Sequence, residues 1–270
     1  LIVEDFKRML GDPVDRRRFL KRMSAAGLGI AAVGLLDGAG PGLGLTRRAS
    51  ASIAGSAAFP GIPGKSITEI VLNYALTLEF LEADLYRQAL NQASGIALAT
   101  PLAEDPFSYS LSIGTGGLTD AAAEAGFDYL VEFAYVEAAH RDFLKATLAS
   151  LKAPTTTADA NGYKFPTGIG SDLKALLTQI VPLEETGVRA YLGALTYLKP
   201  SKAYLTAAAT IYSTEARHSA ALNYILGNDA GPAMRSGDQE VTATAYPSPN
   251  TFEYFLTPSQ VLTAAAVYFN

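Results

Sequence analysis

The sequence predicts an all-α protein organised as a bundle of four long helices. Three observations point there. Apolar residues recur at the three-and-four spacing of a buried helix face over four long segments. The chain's two histidines each follow a glutamate by three residues, in Glu137-Ala138-Ala139-His140 and Glu215-Ala216-Arg217-His218. Positions i and i+3 share a helix face, so each pair can reach one ion. Two further glutamates, Glu79 and Glu184, lie upstream inside apolar helical stripes. The order along the chain is Glu, Glu-x-x-His, Glu, Glu-x-x-His. That is the ligand set of a carboxylate-bridged two-metal site in a four-helix bundle. The plainer reading places both pairs on helix surfaces with no metal.

The first helix is capped by Ser66 or Thr68, carries Glu69 in its first turn and runs to about Asn91. Its stripe is Leu72, Leu76, Glu79, Ala83, Tyr86 and Leu90. Residues 92–123 contain Pro101, Pro106 and Gly114-Thr115-Gly116-Gly117 and read as mostly loop with a short helix. The second helix spans about 124–151, with stripe Leu130, Phe133, Glu137, His140 and Leu144. Residues 152–170 form a long connection rich in Gly and Pro. Ser171 or Asp172 caps a third helix reaching about Leu198, with stripe Ile180, Glu184, Tyr191 and Leu195. Pro182 lies inside it and should kink or break it. After a Pro200-Ser201 turn the fourth helix runs to Leu226, with stripe Ala208, Ile211, Glu215, His218, Leu222 and Ile225, and Gly227 ends it. Thr257-Pro258-Ser259 caps a last short helix in an otherwise irregular tail.

The helices fall into two similar pairs. Glu79 and Tyr86 are seven residues apart, as are Glu184 and Tyr191, and each such helix precedes one with Glu-x-x-His. This reads as a degenerate duplication about a pseudo-two-fold axis through the site. Only Glu79 and Glu184 keep the shared spacing to tyrosine, which favours them over the neighbouring Glu82 and Glu185 as ligands. Glu82 and Glu185 remain alternative ligands. Tyr86 and Tyr191 are assigned to orienting the carboxylates or relaying electrons. Plain core packing is the competing role for both.

At 270 residues the chain can bury one sizeable core plus appendages. It divides into an N-terminal segment at 1–51, a linker at 52–64, the bundle at 65–228 and an extension at 229–270. It is 49% hydrophobic, yet no run of 18 apolar residues marks a membrane span. Cysteine is absent, which excludes disulfides, thiolate nucleophiles and iron–sulfur clusters. Residues 1–51 hold nine Lys/Arg against five Asp/Glu, and the rest twelve against twenty-one. An acidic body excludes nucleic acid as a partner and suits attraction of cations.

Arg16-Arg17-Arg18-Phe19-Leu20-Lys21 resembles a twin-arginine export signal, with Arg16, Arg17, Phe19, Leu20 and Lys21 as its core. A weak apolar stretch, Ala25 to Leu36, and Ala49-Ser50-Ala51 follow as h-region and cleavage site. The expected location is outside the cytoplasm, periplasmic or at the cell surface. If retained, residues 1–38 would offer attachment to a membrane or a protein complex. A basic amphipathic surface helix is the competing reading.

Four glutamates in a core are prohibitive to ionise without compensation. Two divalent ions supply that charge, two neutral imidazoles complete the shells, and some carboxylates should be protonated without metal. Mixed carboxylate and imidazole ligands suit Fe or Mn better than structural zinc. The expected ligands are Glu79, Glu137, His140, Glu184, Glu215 and His218, around two ions about 3.5–4 Å apart. Glu137 and Glu215 can bridge with Glu79 and Glu184 terminal, or those roles can exchange.

The stretches Leu78-Glu79-Phe80-Leu81-Glu82-Ala83-Asp84-Leu85-Tyr86, Glu184-Glu185-Thr186-Gly187-Val188-Arg189-Ala190-Tyr191 and Glu215-Ala216-Arg217-His218 resemble the ferritin-like superfamily, and within it the desiccation-related ferritin-like domain family of bacteria and plants. The resemblance covers about residues 65–228. It implies a crossover between helices two and three, di-iron or di-manganese binding, and no fixed activity, since ferritins, rubrerythrin-type peroxidases and manganese catalases are related branches. The insertions at 92–123 and 229–270 stand against a closed ferritin cage, though a homo-oligomer is compatible with the sequence. Two functions compete. One is a redox enzyme of ferroxidase, peroxidase or catalase type that uses O₂ or peroxide in stress protection. The other is a structural or accessory subunit of a larger assembly.

Overall fold

A computed structural model describes residues 57–231 and 253–270. The export-signal residues Arg16, Arg17, Phe19, Leu20 and Lys21, the attachment segment 1–38 and most of the C-terminal extension lie outside the described residues. Among the described residues five α-helices follow in order: α1 (Ile67–Ala93), α2 (Asp120–Ser150), α3 (Leu173–Ala194), α4 (Lys202–Ile225) and α5 (Pro258–Ala265). Short 3₁₀ turns occur at Pro106–Ser108, Leu195–Leu198 and Ala266–Tyr268. Among the described residues there is no strand, only isolated bridges at Gly114–Asp172 and Tyr163–Phe269. No described helix is long and apolar enough to cross a membrane.

The four long helices pack on one another around one core, α1 mostly on α2 and α3 mostly on α4, with α1–α3 and α2–α4 contacts closing the group. Each stripe turns inward. Leu76, Leu90, Leu130 and Leu222 are fully buried, as are the four glutamates among them. α1 is buried on most of its circumference, including Asn73, Glu79, Glu82 and Asn91.

The two buried asparagines of α1 hold loops. Asn73 Nδ2 donates to the Pro154 carbonyl at 2.8 Å, and its Oδ1 accepts from the Thr156 amide at 2.7 Å. Asn91 Nδ2 donates to the carbonyls of Thr100 and Leu98. The long connection before α3 and the loop after α1 are therefore fastened to the central helix by groups that need partners when buried.

Capping explains the helix starts. Ser66 caps α1 and Asp172 caps α3 through side-chain acceptors to Glu69 N and Ala175 N. α2 begins four residues earlier than the sequence suggested, because Thr119 accepts from Ala122 N and opens the helix at Asp120. α3 continues unbroken through Pro182. Pro182 is exposed, so the carbonyl one turn earlier that loses its donor faces solvent. The end of the third segment is not α-helical as expected but tightens into the 3₁₀ turn Leu195–Leu198. Gly227 follows α4 with φ +77°. Thr257 and Gln260 form a capping box on α5.

The C-terminal segment docks on α3. Arg189 reaches Glu253 at 3.4 Å, lies 4.3 Å over the Tyr254 ring, and its carbonyl accepts from Leu256 N. A Cβ at Gly193 would stand 2.1 Å from the Leu256 carbonyl oxygen, so only glycine permits this approach. The chain end then meets the α2–α3 connection, with Lys164 N donating to the Tyr268 carbonyl at 2.8 Å.

Candidate metal centre

All six expected ligands converge inside the four helices. Glu79 comes from α1, Glu137 and His140 from α2, Glu184 from α3, and Glu215 and His218 from α4. Glu79, Glu137, Glu184 and Glu215 are fully buried and His218 is 3% exposed, while the His140 side chain keeps 14% exposure. The helical i, i+3 relation brings each histidine onto the face of its glutamate. His140 Nδ1 lies 3.0 Å from Glu137 Oε2, 3.3 Å from Glu215 Oε1 and 3.7 Å from Glu79 Oε2. His218 Nδ1 lies 2.8 Å from Glu137 Oε1 and 3.4 Å from Glu184 Oε2.

Two overlapping groups have metal-ligand spacing. Glu79, Glu137, His140 and Glu215 form one, and Glu137, Glu184, Glu215 and His218 the other. Within each, one ligand atom per residue lies within 4.8 Å of the rest. Glu137 and Glu215 belong to both.

The donor set fits divalent cations on a second ground. Glu79 Oε2, Glu137 Oε1, Glu184 Oε2 and both Glu215 oxygens are buried without a hydrogen-bond partner. His218 Nδ1 is likewise unpaired, because its close approach to Glu137 lacks hydrogen-bond alignment. Buried carboxylate oxygens with no donor are costly unless a cation satisfies them.

Without metal, protons and imidazolium charge balance the carboxylates. Burial pushes Glu79 up to about 8, aided by the charge of Glu137 and opposed by His140. Burial also raises Glu215, with Glu137 and Glu184 adding repulsion. Burial pushes Glu137 up as well, but His140 and His218 together outweigh it and hold this carboxylate down at about 2. Burial disfavours charge on both imidazoles. Glu137 and Glu79 nonetheless hold His140 well above its ordinary value, and Glu184 with Glu137 holds His218 at about 10.

Tyr86 and Tyr191 cross between the halves. Tyr86 on α1 donates to Glu184 Oε1 on α3, and Tyr191 on α3 donates to Glu79 Oε1 on α1 at 2.5 Å. The reciprocal pair follows the seven-residue spacing seen in the sequence. Burial and the nearby carboxylates push both phenols up, so they stay neutral donors.

The alternative ligands separate. Glu185 accepts from Arg189 and from the Ser219 hydroxyl, which commits it away from the cluster. Glu82 is 4% exposed and stands in neither four-residue group. Burial and the charge of Glu215 push it well up. The sequence did not single out Arg189, Ser219 or Glu253, whose meeting depends on long-range packing. It also passed over Gly187, although the signal was there. The offset that maps Glu79 onto Glu184 maps Glu82 onto Gly187. A Cβ at Gly187 would stand 2.8 Å from Glu215 Oε2 and 3.1 Å from Glu82 Oε1. Phe133 was read only as part of a buried stripe. Its ring stacks on His218 at 3.7 Å between centroids, fixing the imidazole plane.

Comparison with curated proteins found no match. Residues 69–228 match the family described as "Ferritin-like domain", a span holding all four long helices but the first two residues of α1, and all six converging residues. The match covers more than half of the sequence, and the chain belongs to the ferritin-like domain family.

Proposed function

We propose that this is an exported protein whose four helices form a ferritin-type bundle around a dinuclear iron or manganese centre that reacts with O₂ or peroxide. The connection at 151–172 serves as the crossover between α2 and α3. Glu79 and His140 would hold one ion, Glu184 and His218 the other, with Glu137 and Glu215 within reach of both. The observation that carries this reading is the sharing of Glu137 and Glu215 by both four-residue groups. Four carboxylates and two imidazoles balance two divalent charges and favour the higher oxidation states of iron and manganese. When bound, such a pair supplies or accepts the electrons that an O–O bond exchanges.

The chain's own residues do the positioning. Tyr86 and Tyr191 hold the terminal carboxylates by one oxygen each, leaving the other free to bind. Phe133 fixes the ring of His218. Burial of the glutamates excludes bulk water, and His140 marks the most solvent-reached corner of the six.

The twin-arginine pattern at Arg16 and Arg17 supports export in a folded state, with metal acquired beforehand in the cytoplasm. The likeness to desiccation-related proteins supports a role in stress protection. Cell fractionation locates the protein, and a purely cytoplasmic pool would sink the export reading. For the chemistry, the chain loaded with Fe or Mn is assayed by stopped flow and oxygen electrode. Loaded protein should consume peroxide or oxidise Fe²⁺ faster than free metal, and Glu79→Ala and Glu184→Ala should abolish this.

A second reading is favoured by the depth of the site and the C-terminal segment fastened across α3. Here the metal staples the fold of an accessory subunit. Loaded protein that gains thermal stability but shows no reaction above free metal would establish this reading over the first.

A further inference from the structure

Glu82 is the one buried glutamate of α1 that the two ligand groups leave unused. Its Oε2 is buried without a hydrogen-bond partner. It lines a cavity of about 20 Å³ between α1, α3 and the C-terminal turn. That volume is enough for a water molecule or a small ion. Leu78, Leu81, Leu183, Thr186, Ala264 and Tyr268 are among the residues that line it. The cavity is open toward the surface, where Ala264 is exposed. Gly187 lines it too, the residue that takes the place of Glu82 in the other half of the duplication. Because Gly187 has no side chain, Glu82 Oε1 and Glu215 Oε2 flank the same bare patch of backbone. Glu82 thus stands between this cavity and Glu215, a carboxylate that belongs to both ligand groups.

Resting on the metal-centre reading, we propose that Glu82 is a transfer carboxylate through which a divalent cation passes from this cavity to Glu215. The asymmetry of the duplication supports it. One half carries a carboxylate at this position and the other carries a glycine. A divalent cation is the occupant because Glu82 and Glu215 both present carboxylate oxygens toward Gly187, and paired carboxylates suit such an ion. Passage from Glu82 to Glu215 is an exchange of one carboxylate ligand for another, and no electron moves.

The test is metal uptake by the full chain after chelation, followed by the visible absorption of Co²⁺ in a stopped-flow instrument. Glu82→Gln should slow uptake at least tenfold and leave the final Co²⁺ stoichiometry equal to that of the unaltered chain. Ala264→Trp, which narrows the rim without touching any carboxylate, should also slow uptake. Unchanged rates in either variant overturn the route. A lower final stoichiometry in Glu82→Gln makes Glu82 a resident ligand and also overturns it. Normal uptake in both variants with slowed peroxide consumption by Mn-loaded protein would assign the cavity to the neutral oxidant instead. An unaltered chain that takes up no Co²⁺ would sink the metal-centre reading itself, which separates the two failures.

Discussion

His140→Ala and His218→Ala should each lower metal content and thermal stability, because each imidazole faces at least two buried carboxylates. Removing one partner of a buried charged set costs on the order of 3 kcal/mol. Metal analysis and thermal melts check this, and unchanged values in both variants would place the metal elsewhere. Tyr191→Phe deletes the donor to Glu79 and nothing of comparable size. Outer-shell losses of this kind weaken metal binding roughly 10–100-fold. Competition titration with a chelator should show that drop, and affinity equal to the unaltered chain would leave Tyr191 as simple core packing. The convergence of four of the six expected residues was legible because helical spacing alone puts Glu137 with His140 and Glu215 with His218, while Glu79 and Glu184 were legible from their place in the apolar stripes. The choice between Glu184 and Glu185 was legible only through the tyrosine register. Its physical reason, the commitment of Glu185 to Arg189 and Ser219, is a contact between α3 and α4 that spacing cannot reveal.

Among the elements, α3 carries two close approaches, at Gly187 and Gly193. Gly187→Ala places a methyl 2.8 Å from Glu215 Oε2, the far end of a side chain that can move. The variant should therefore fold normally but bind metal more weakly, read as a near-native melt of metal-free protein beside a weaker chelator competition. Native affinity would show that Glu215 has room to spare. Gly193→Ala instead meets the Leu256 carbonyl oxygen, which is backbone and cannot swing aside. It should release the C-terminal segment and speed proteolysis there, while digestion at the native rate would contradict the docking. Helix existence was legible from apolar periodicity, and boundaries less so. The early start of α2 hung on one Thr119 hydroxyl, and the 3₁₀ turn at Leu195–Leu198 followed from packing against α1 and α4. Pro182 does not break α3, an outcome that depends on exposure, which the sequence does not display.

At the scale of the whole molecule, the bundle core is an acidic site whose charge must be balanced by protons or by metal. Glu79 is raised to about 8 and His218 to about 10, so the folded chain binds these protons more tightly than the unfolded one. Stability of metal-free protein is accordingly lost as pH rises through those values. Glu137, lowered to about 2, acts at the other end and loses its contribution only as pH falls from its ordinary value through 2. Chelated protein should melt earlier at pH 9 than at pH 6, and metal should remove most of that difference by replacing the protons. A melt that is equally pH-dependent with and without metal would contradict this balance. The most direct test of the account is metal analysis of the chain purified from its native compartment. About two equivalents of Fe or Mn per chain, falling when His140 and His218 are both replaced by alanine, is the expected result. A metal-free chain that is fully folded, or a content unchanged by the double replacement, would contradict it.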